Sequence, residues 1–375
     1  MLLLLRPGLA GALIAASIPG VLAAQEFPTK HGRIRVVTVA RGLEHPWALA
    51  FLPDGRMLVT ERPGRMRIVE PDGRLSPPLK GVPAVWAQGQ GGLLDVVLAP
   101  DFPQSRALYL SYAEPAALGR AGTTVARARL AEGGLEDVTV IFRQEPKRLA
   151  GQHFGSRLVF TPDGLLFITT GDRGARDAAQ DLALPIGKVI RIRPDGGVPQ
   201  GNPFLGRRGV RPEIWSYGHR NIQGAALHPE TGRLWTAEHG AMGGDEVNVP
   251  QAGRNYGWPV ITYGRDYSGA RIGEGTAKPG MEQPVHYWDP SIAPSGMAFY
   301  AGDRFPAWRG DLFVGSLRYG LLVRLELQGE RVVAEERLLE GLGDRVRDVR
   351  QGPDGYLYLV TDEAAGRILR IEPVR

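Results

Sequence analysis

The chain is 375 residues long, with a formal net charge of +5, 51 glycines, 30 prolines and no cysteine. The lack of cysteine excludes a disulfide framework, a thiolate metal site and a cysteine nucleophile. The arginines are scattered rather than massed, which excludes a nucleic-acid tract, although basic charge focused in a cleft would attract a small anionic ligand.

The first two dozen residues stand apart. Met1 to Leu5 is apolar, Arg6 supplies a positive charge, and Leu9 to Ala24 is an apolar run rich in small residues. This predicts a secretory signal peptide over residues 1–24, cleaved near Ala23 or Ala24, and hence a periplasmic or secreted protein. An uncleaved anchor is the alternative. No later stretch is apolar and long enough to span a bilayer.

From residue 25 onward one phrase recurs: an apolar strand, Pro-Asp-Gly or a variant, and a second apolar strand ending in a polar residue. WALAFLPDGRMLVTE begins at Trp47 and RLVFTPDGLLFITTGD at Arg157. Other copies begin at Val96, Ala226 and Asp348, and a degenerate one at Met297. The copies lie roughly 45 to 70 residues apart, a spacing that suits propeller blades. Each reads as a β-hairpin, with Pro and Asp preset for a turn and Gly free to take positive φ. A lone hairpin cannot bury its apolar face, and radial stacking solves that problem. The expected fold is all-β, a six-bladed β-propeller over residues 25–375.

A hairpin returns its chain to the end from which it started. Residues before the first strand and after the second should therefore meet on one channel face. Upstream of the turns stand His45, Gln88 with Gln90, His153, Arg220 with Asn221, Ser295, and Arg345 with Arg347. Downstream stand Glu61, Ser111, Asp172, Glu238 with His239, Arg318 and Asp362.

Three constellations follow. His153 and Asp172 close the two ends of one hairpin; a carboxylate that holds a His fixes its tautomer and readies it as a general base. The same His could simply be hydrogen-bonded into a turn. In EHGAMGGDEVN, from Glu238, and NYGWP, from Asn255, the residues Asp245, Glu246 and Asn248 are hard oxygen donors, and Tyr256 can present its carbonyl. Calcium takes such a set, and an acidic surface turn is the alternative. Arg220, Arg318, Arg345 and Arg347 form a basic set, and Arg345 and Arg347 alternate with Val346, so a strand points both to one face. They suit a ligand with several carboxylates; pairing with Asp344 and Asp348 is the plainer reading. Trp47, Trp215, Trp235, Trp288 and Tyr358 are expected between blades, and Trp86 on the channel. The motifs of zinc hydrolases, serine esterases and dinucleotide-binding folds are missing.

These segments, with AQGQGGLLDVVLAPDF at Ala87, GQHFGSRLVF at Gly151, EIWSYGHRNIQG at Glu213 and RVRDVRQGPDGYLY at Arg345, resemble the glucose/sorbosone dehydrogenase family. These are soluble aldose sugar dehydrogenases that use pyrroloquinoline quinone (PQQ), and the resemblance covers nearly the whole mature chain. It implies a six-bladed propeller carrying PQQ on its wide face. It implies His153 as base supported by Asp172, Gln88 beside quinone and sugar, and Arg220 and Asn221 at the quinone oxygens. Arg318, Arg345 and Arg347 would hold the PQQ carboxylates. The carbonyls of Gly240 and Ala241 would bind a PQQ-associated Ca2+, and Glu246 and Tyr256, joined by Asp266, a second, structural one. An aldose would be oxidised at C1 to the lactone, with electrons passed to an external acceptor. Arg318 stands where a lysine is usual, Ala241 where the glucose-oxidising members carry proline, and His239 where they carry glutamine. A calcium-dependent lactonase on the same fold is the rival reading. Monomer and homodimer both remain open.

Overall fold

The computed structural model describes residues 24–374, so nearly all of the expected signal peptide lies outside the described residues. Six antiparallel sheets follow one another along the chain. Their innermost strands are Pro46–Phe51, Leu93–Leu98, Leu158–Phe160, Ile222–Leu227, Pro294–Phe299 and Val346–Gln351. Each packs against the next, and the sixth packs against the first, so the ring is closed. This is the expected six-bladed propeller. Blade 1 has three strands, blades 2 to 5 have four, and blade 6 has five.

The Pro-Asp-Gly phrases make the inner hairpins. In blade 1 the Gly55 N–H donates to the Leu52 carbonyl at 3.1 Å, with Gly55 at φ +86°. Blades 3 and 6 repeat this at Gly164, bonded to Thr161, and Gly355, bonded to Gly352. The copies that depart from the phrase carry longer connections. Blade 2 inserts the short helix Phe102–Ser105 and blade 5 the 3-10 turn Pro306–Trp308.

Ring closure is chemical as well as geometric. Strands Gly32–Leu43 and Gln25–Thr29, from the start of the described chain, complete the blade made by the last three strands. An Arg35–Glu372 ion pair of 2.7 Å joins the two ends. The apolar core lies between blades, where Trp47, Trp235, Trp288 and Tyr358 are buried as expected, while Trp215 is half-buried. Trp86 does not stand free on the channel; it packs beneath the 86–92 loop against Phe154, ring centres 6.0 Å apart.

A plug of two guanidinium groups and two carboxylates, from two inner strands and the residue just before a third, ties the blades together. Arg157 lies 2.9 Å from Asp348 and 3.3 Å from Asp95, and Arg350 lies 2.9 and 2.8 Å from the same pair. Arg157 also stacks on Trp47 at 4.1 Å. The four charges balance, as buried charges must. Arg157 further donates to the carbonyls of Gln223 and Arg347.

Candidate active site

His153 and Asp172 meet where the repeat places them. Strand Leu166–Thr169 is followed by Thr170-Gly171 and then by Asp172, fully buried. Its Oδ1 lies 2.6 Å from His153 Nδ1 and accepts the Gly174 N–H at 2.8 Å. Its Oδ2 accepts the Trp258 indole N–H at 2.8 Å. An ionised carboxylate only accepts, so Nδ1 carries the proton and Nε2 is left as the basic nitrogen. The His153 backbone sits at φ +58° and donates its N–H to Gln90 Oε1 at 2.8 Å. Residue 171 must be glycine, because a Cβ there would stand 2.0 Å from the His153 carbonyl oxygen.

The electrostatics suit a base. Burial, followed by the charges of Arg220 and Arg173, outweighs Asp172 and holds the His153 imidazole below its ordinary range. Burial works against the Asp172 carboxylate, yet the His153 bond and charge, Gly174 and Arg220 keep its pKa below the usual value. At neutral pH the pair is therefore neutral imidazole on carboxylate.

Arg220 and Asn221 lie beside it. Arg220 is held by its N–H on Glu238 (2.7 Å) and by Nη1 on the His239 carbonyl (3.2 Å), over the Trp258 ring. Asn221 Oδ1 accepts the Gly155 N–H at 3.1 Å. His219 is structural: it is buried between Glu238 and Ser216 and stacked on Tyr256.

A cavity of about 410 Å³ adjoins this group, and Arg62, Arg345 and Arg347 share its wall with Asp362, Gln90 and His239. Arg347 donates to Gln223 at 2.7 Å and to Asp362 at 2.5 Å. Arg345 is 49% exposed and lies 3.9 Å from Asp362. The two arginines do share a face, but their counter-ion is Asp362. Asp344 pairs with Arg367, and Asp348 belongs to the channel plug. Three guanidinium groups thus face one carboxylate, an excess of positive charge that suits an anion.

Two expected residues stand aside. Arg318 is exposed, donates to the Ser291 carbonyl at 3.1 Å, and lies one residue beyond Leu317, which lines the cavity. Gln88 is exposed, while Gln90, two residues on, reaches His153. Arg62, Trp258, Gln223 and Asp362 also belong to the site, though none carries a role legible from the sequence. Asp362 stands among the downstream residues named from the sequence; Arg62 follows Gly55 at the same spacing as Asp362 follows Gly355, and that shared register is the signal that could have found it.

On the other side of Arg220, Gly240, Glu246 and Tyr256 line one cavity of about 10 Å³ with Glu238 and His239. That is room for one of the two expected ions, the one assigned to Glu246 and Tyr256. Residue 240 must be glycine, since a Cβ would meet the carbonyl oxygens of Gly243 and Gly244 at 2.1 and 2.4 Å. Ala241 is buried beside it. Burial, then the charges of Glu238 and Asp245, pushes the Glu246 carboxyl up to about 8, a donor short of a cation. Asp245, which looked like a ligand, is a clasp: it accepts from Gly240, Ser291, Ile292 and Ala293. Asp266 lies apart, bonded to Ser268 and 2.6 Å from Arg176. Among the described residues no three His, Asp or Glu side chains form a metal cluster.

The Glucose / Sorbosone dehydrogenase family matches residues 43–370. The chain belongs to this family. It is 50% identical to the aldose sugar dehydrogenase YliI of Escherichia coli (strain K12), over 91% of this chain and 93% of that protein. The apo-form structure of the soluble aldose sugar dehydrogenase from Escherichia coli superimposes with a TM-score of 0.89 at 50% identity, covering 91% of this chain and all of the other. The PQQ-bound aldose sugar dehydrogenase of Streptomyces coelicolor gives a TM-score of 0.74 at 32% identity, over 90% of this chain and 98% of that one. Like these members of the glucose/sorbosone dehydrogenase family, the chain is an oxidoreductase.

Proposed function

We propose that the protein is a PQQ- and calcium-dependent aldose sugar dehydrogenase that oxidises the C1 hydroxyl to the lactone. The observation that carries this reading is a His–Asp pair, its Asp buried, joined through Gln90 to a cavity where three guanidinium groups face one carboxylate. The donor set fits PQQ. Arg62 Nε, Asn221 Nδ2, His239 Nε2 and Arg347 Nε are buried polar atoms with no hydrogen-bond partner among the described residues. Arg62, Arg345 and Arg347 would hold its carboxylates, with Arg318 at the rim, and Arg220 and Asn221 would face its quinone oxygens. Gly240 and Ala241 carbonyls would hold one Ca2+, and Glu246 with the Tyr256 carbonyl a second. When bound, PQQ supplies the two-electron acceptor.

The chain's residues supply the rest. His153 Nε2 takes the proton from the C1 hydroxyl while C1 loses its hydride, and the C1–O bond becomes the lactone carbonyl. Asp172 stabilises the imidazolium and keeps the ring turned. Arg220 offers positive charge where negative charge develops. Gln90 anchors the backbone of the base, and Gln88 would stand beside quinone and sugar. Electrons leave to an external acceptor. Export by the 1–24 signal peptide would place this chemistry in the periplasm or outside the cell. A hydrolytic lactonase would leave the guanidinium excess without a role.

The test is to load purified protein with PQQ and Ca2+ and follow reduction of an artificial dye by a panel of aldoses. Aldose-dependent reduction requiring both additions is expected. Lactone hydrolysis without dye reduction would return the site to the rival.

A further inference from the structure

The four residues Gly171–Gly174 grip the loop that carries His153, one after another. Gly171 makes room for the His153 carbonyl, Asp172 takes the ring, and the Gly174 N–H steadies Asp172. Arg173, between them, has entered so far only through its charge. It is 2% exposed. Its guanidinium donates to the carbonyls of Gln152, Ala150 (2.5 Å) and Ala121 (3.3 Å), and lies 3.4 Å from the centre of the Phe154 ring. Its neighbour Asp172 is already committed to His153 and Trp258. The buried charge is therefore answered by carbonyls and a ring face, while Nε has no partner among the described residues, so losing any of these contacts is costly.

We propose that Arg173 is a positioning residue for the base: it clamps the carbonyls of Ala150 and Gln152 so that His153 keeps its left-handed backbone and its ring on Asp172. A positive φ at a non-glycine residue persists only where its surroundings enforce it. The clamp ties down the residue just before His153 and the one before Gly151, while Phe154 lies under the guanidinium on the other side. The charged and titratable groups facing His153 are Asp172, Arg220, Arg173 and His239. Of these, Arg173 adds to Arg220 in opposing a charge on the imidazole. The inference rests on His153 being the base.

The variants are Arg173→Met, which keeps the length and removes the charge, and Arg173→Lys, which keeps the charge and loses the planar fork. In the PQQ- and calcium-loaded enzyme, Arg173→Met should lower kcat by ~10- to 100-fold, as a small misplacement of a catalytic group does. KM and PQQ affinity should hardly move. Arg173→Lys should fall between. In cofactor-free protein, NMR titration of the His153 ring should show its midpoint raised in Arg173→Met and less so in Arg173→Lys. An unchanged kcat, or an unchanged His153 midpoint, in folded Arg173→Met overturns the proposal. So does a loss of PQQ affinity in proportion to kcat, which would mark general loosening. If Arg173→Met does not fold, Arg173→Lys decides alone: reduced kcat supports the clamp and wild-type kcat overturns it. A wild type that binds PQQ but oxidises no aldose would sink the proposed function, while the ring titration would still judge the role of Arg173.

Discussion

Trp258 donates its indole N–H to Asp172 Oδ2 at 2.8 Å, across 86 residues of sequence. The carboxylate that aims His153 is thus fixed from two blades. The same indole lies under Arg220, its ring 5.3 Å from the guanidinium carbon. Trp258→Phe keeps the ring and removes only the donor. A hydrogen bond to a charged group is worth about 1.5–3 kcal/mol, so this variant should lose about that much stability and turn over more slowly, with PQQ affinity little changed. Denaturant unfolding and steady-state kinetics check both parts. Wild-type stability and kcat would mean that the bond is incidental.

His153→Ala should lower turnover by ~10²–10⁴ and leave PQQ binding intact. The pH dependence has a definite sign. His153 is held below the ordinary His range, chiefly by burial, so the base form is populated at neutral pH. The rate should therefore hold until the pH falls below ~6.5, the ordinary His value. In that window the unfolded chain binds the proton and the folded chain does not, so His153 also makes stability fall as pH falls. A rate already halved on going from about pH 8 to 7 would contradict the assignment.

The two cavity arginines should differ. Arg347 is 7% exposed and bonded on both sides, whereas Arg345 is half open to solvent. Arg347→Ala should weaken PQQ binding by roughly 10- to 150-fold, the worth of one charge-assisted bond of ~1.5–3 kcal/mol. Arg345→Ala should cost less, because solvent screens it. Titration of cofactor-free protein with PQQ gives both constants. Equal, wild-type constants would make these arginines partners of Asp362 and nothing more.

Calcium should matter twice, for activity through Gly240 and Ala241 and for stability through Glu246 and Tyr256. Chelation should abolish aldose oxidation and lower Tm. Metal-free protein that works at full rate with PQQ would remove the activating ion from the account.

The channel plug gives a prediction about stability alone. Asp348→Ala leaves Arg157 and Arg350 short of one counter-charge in a buried setting. Breaking a buried pair in this way costs about 3–5 kcal/mol, which denaturant unfolding would report. A loss within experimental error would mean that water enters the channel and solvates the charges.

The blades were legible because Leu-Pro-Asp-Gly and its relatives are local signals: the turn is specified by the residues that make it. The His153–Asp172 pair was legible for the same reason, since one hairpin carries both ends. What spans blades was not. Asp245 has the chemistry of a metal ligand, and only the folded loop shows its oxygens spent on Ser291, Ile292, Ala293 and Gly240. Asp362 is the counter-ion of Arg347, a role that nearby Asp344 and Asp348 seemed to fill. Gln88 and Gln90 differ in sequence only by position, and the loop turns the second one to His153. Strand Gly32–Leu43 joins blade 6 through ring closure, which depends on the number of blades between rather than on any local motif.

The central claim is that His153, set by Asp172, takes the proton as a sugar reduces PQQ bound in the arginine-lined cavity. The most direct measurement is stopped-flow absorbance of PQQ- and calcium-loaded protein mixed with an aldose, with no external acceptor present. The account predicts a single-turnover reduction of the cofactor in wild type, slowed at least ~10²-fold in His153→Ala at equal PQQ occupancy. Loaded wild type whose absorbance does not change on adding any aldose, or loaded His153→Ala that reacts at the wild-type rate, would contradict it.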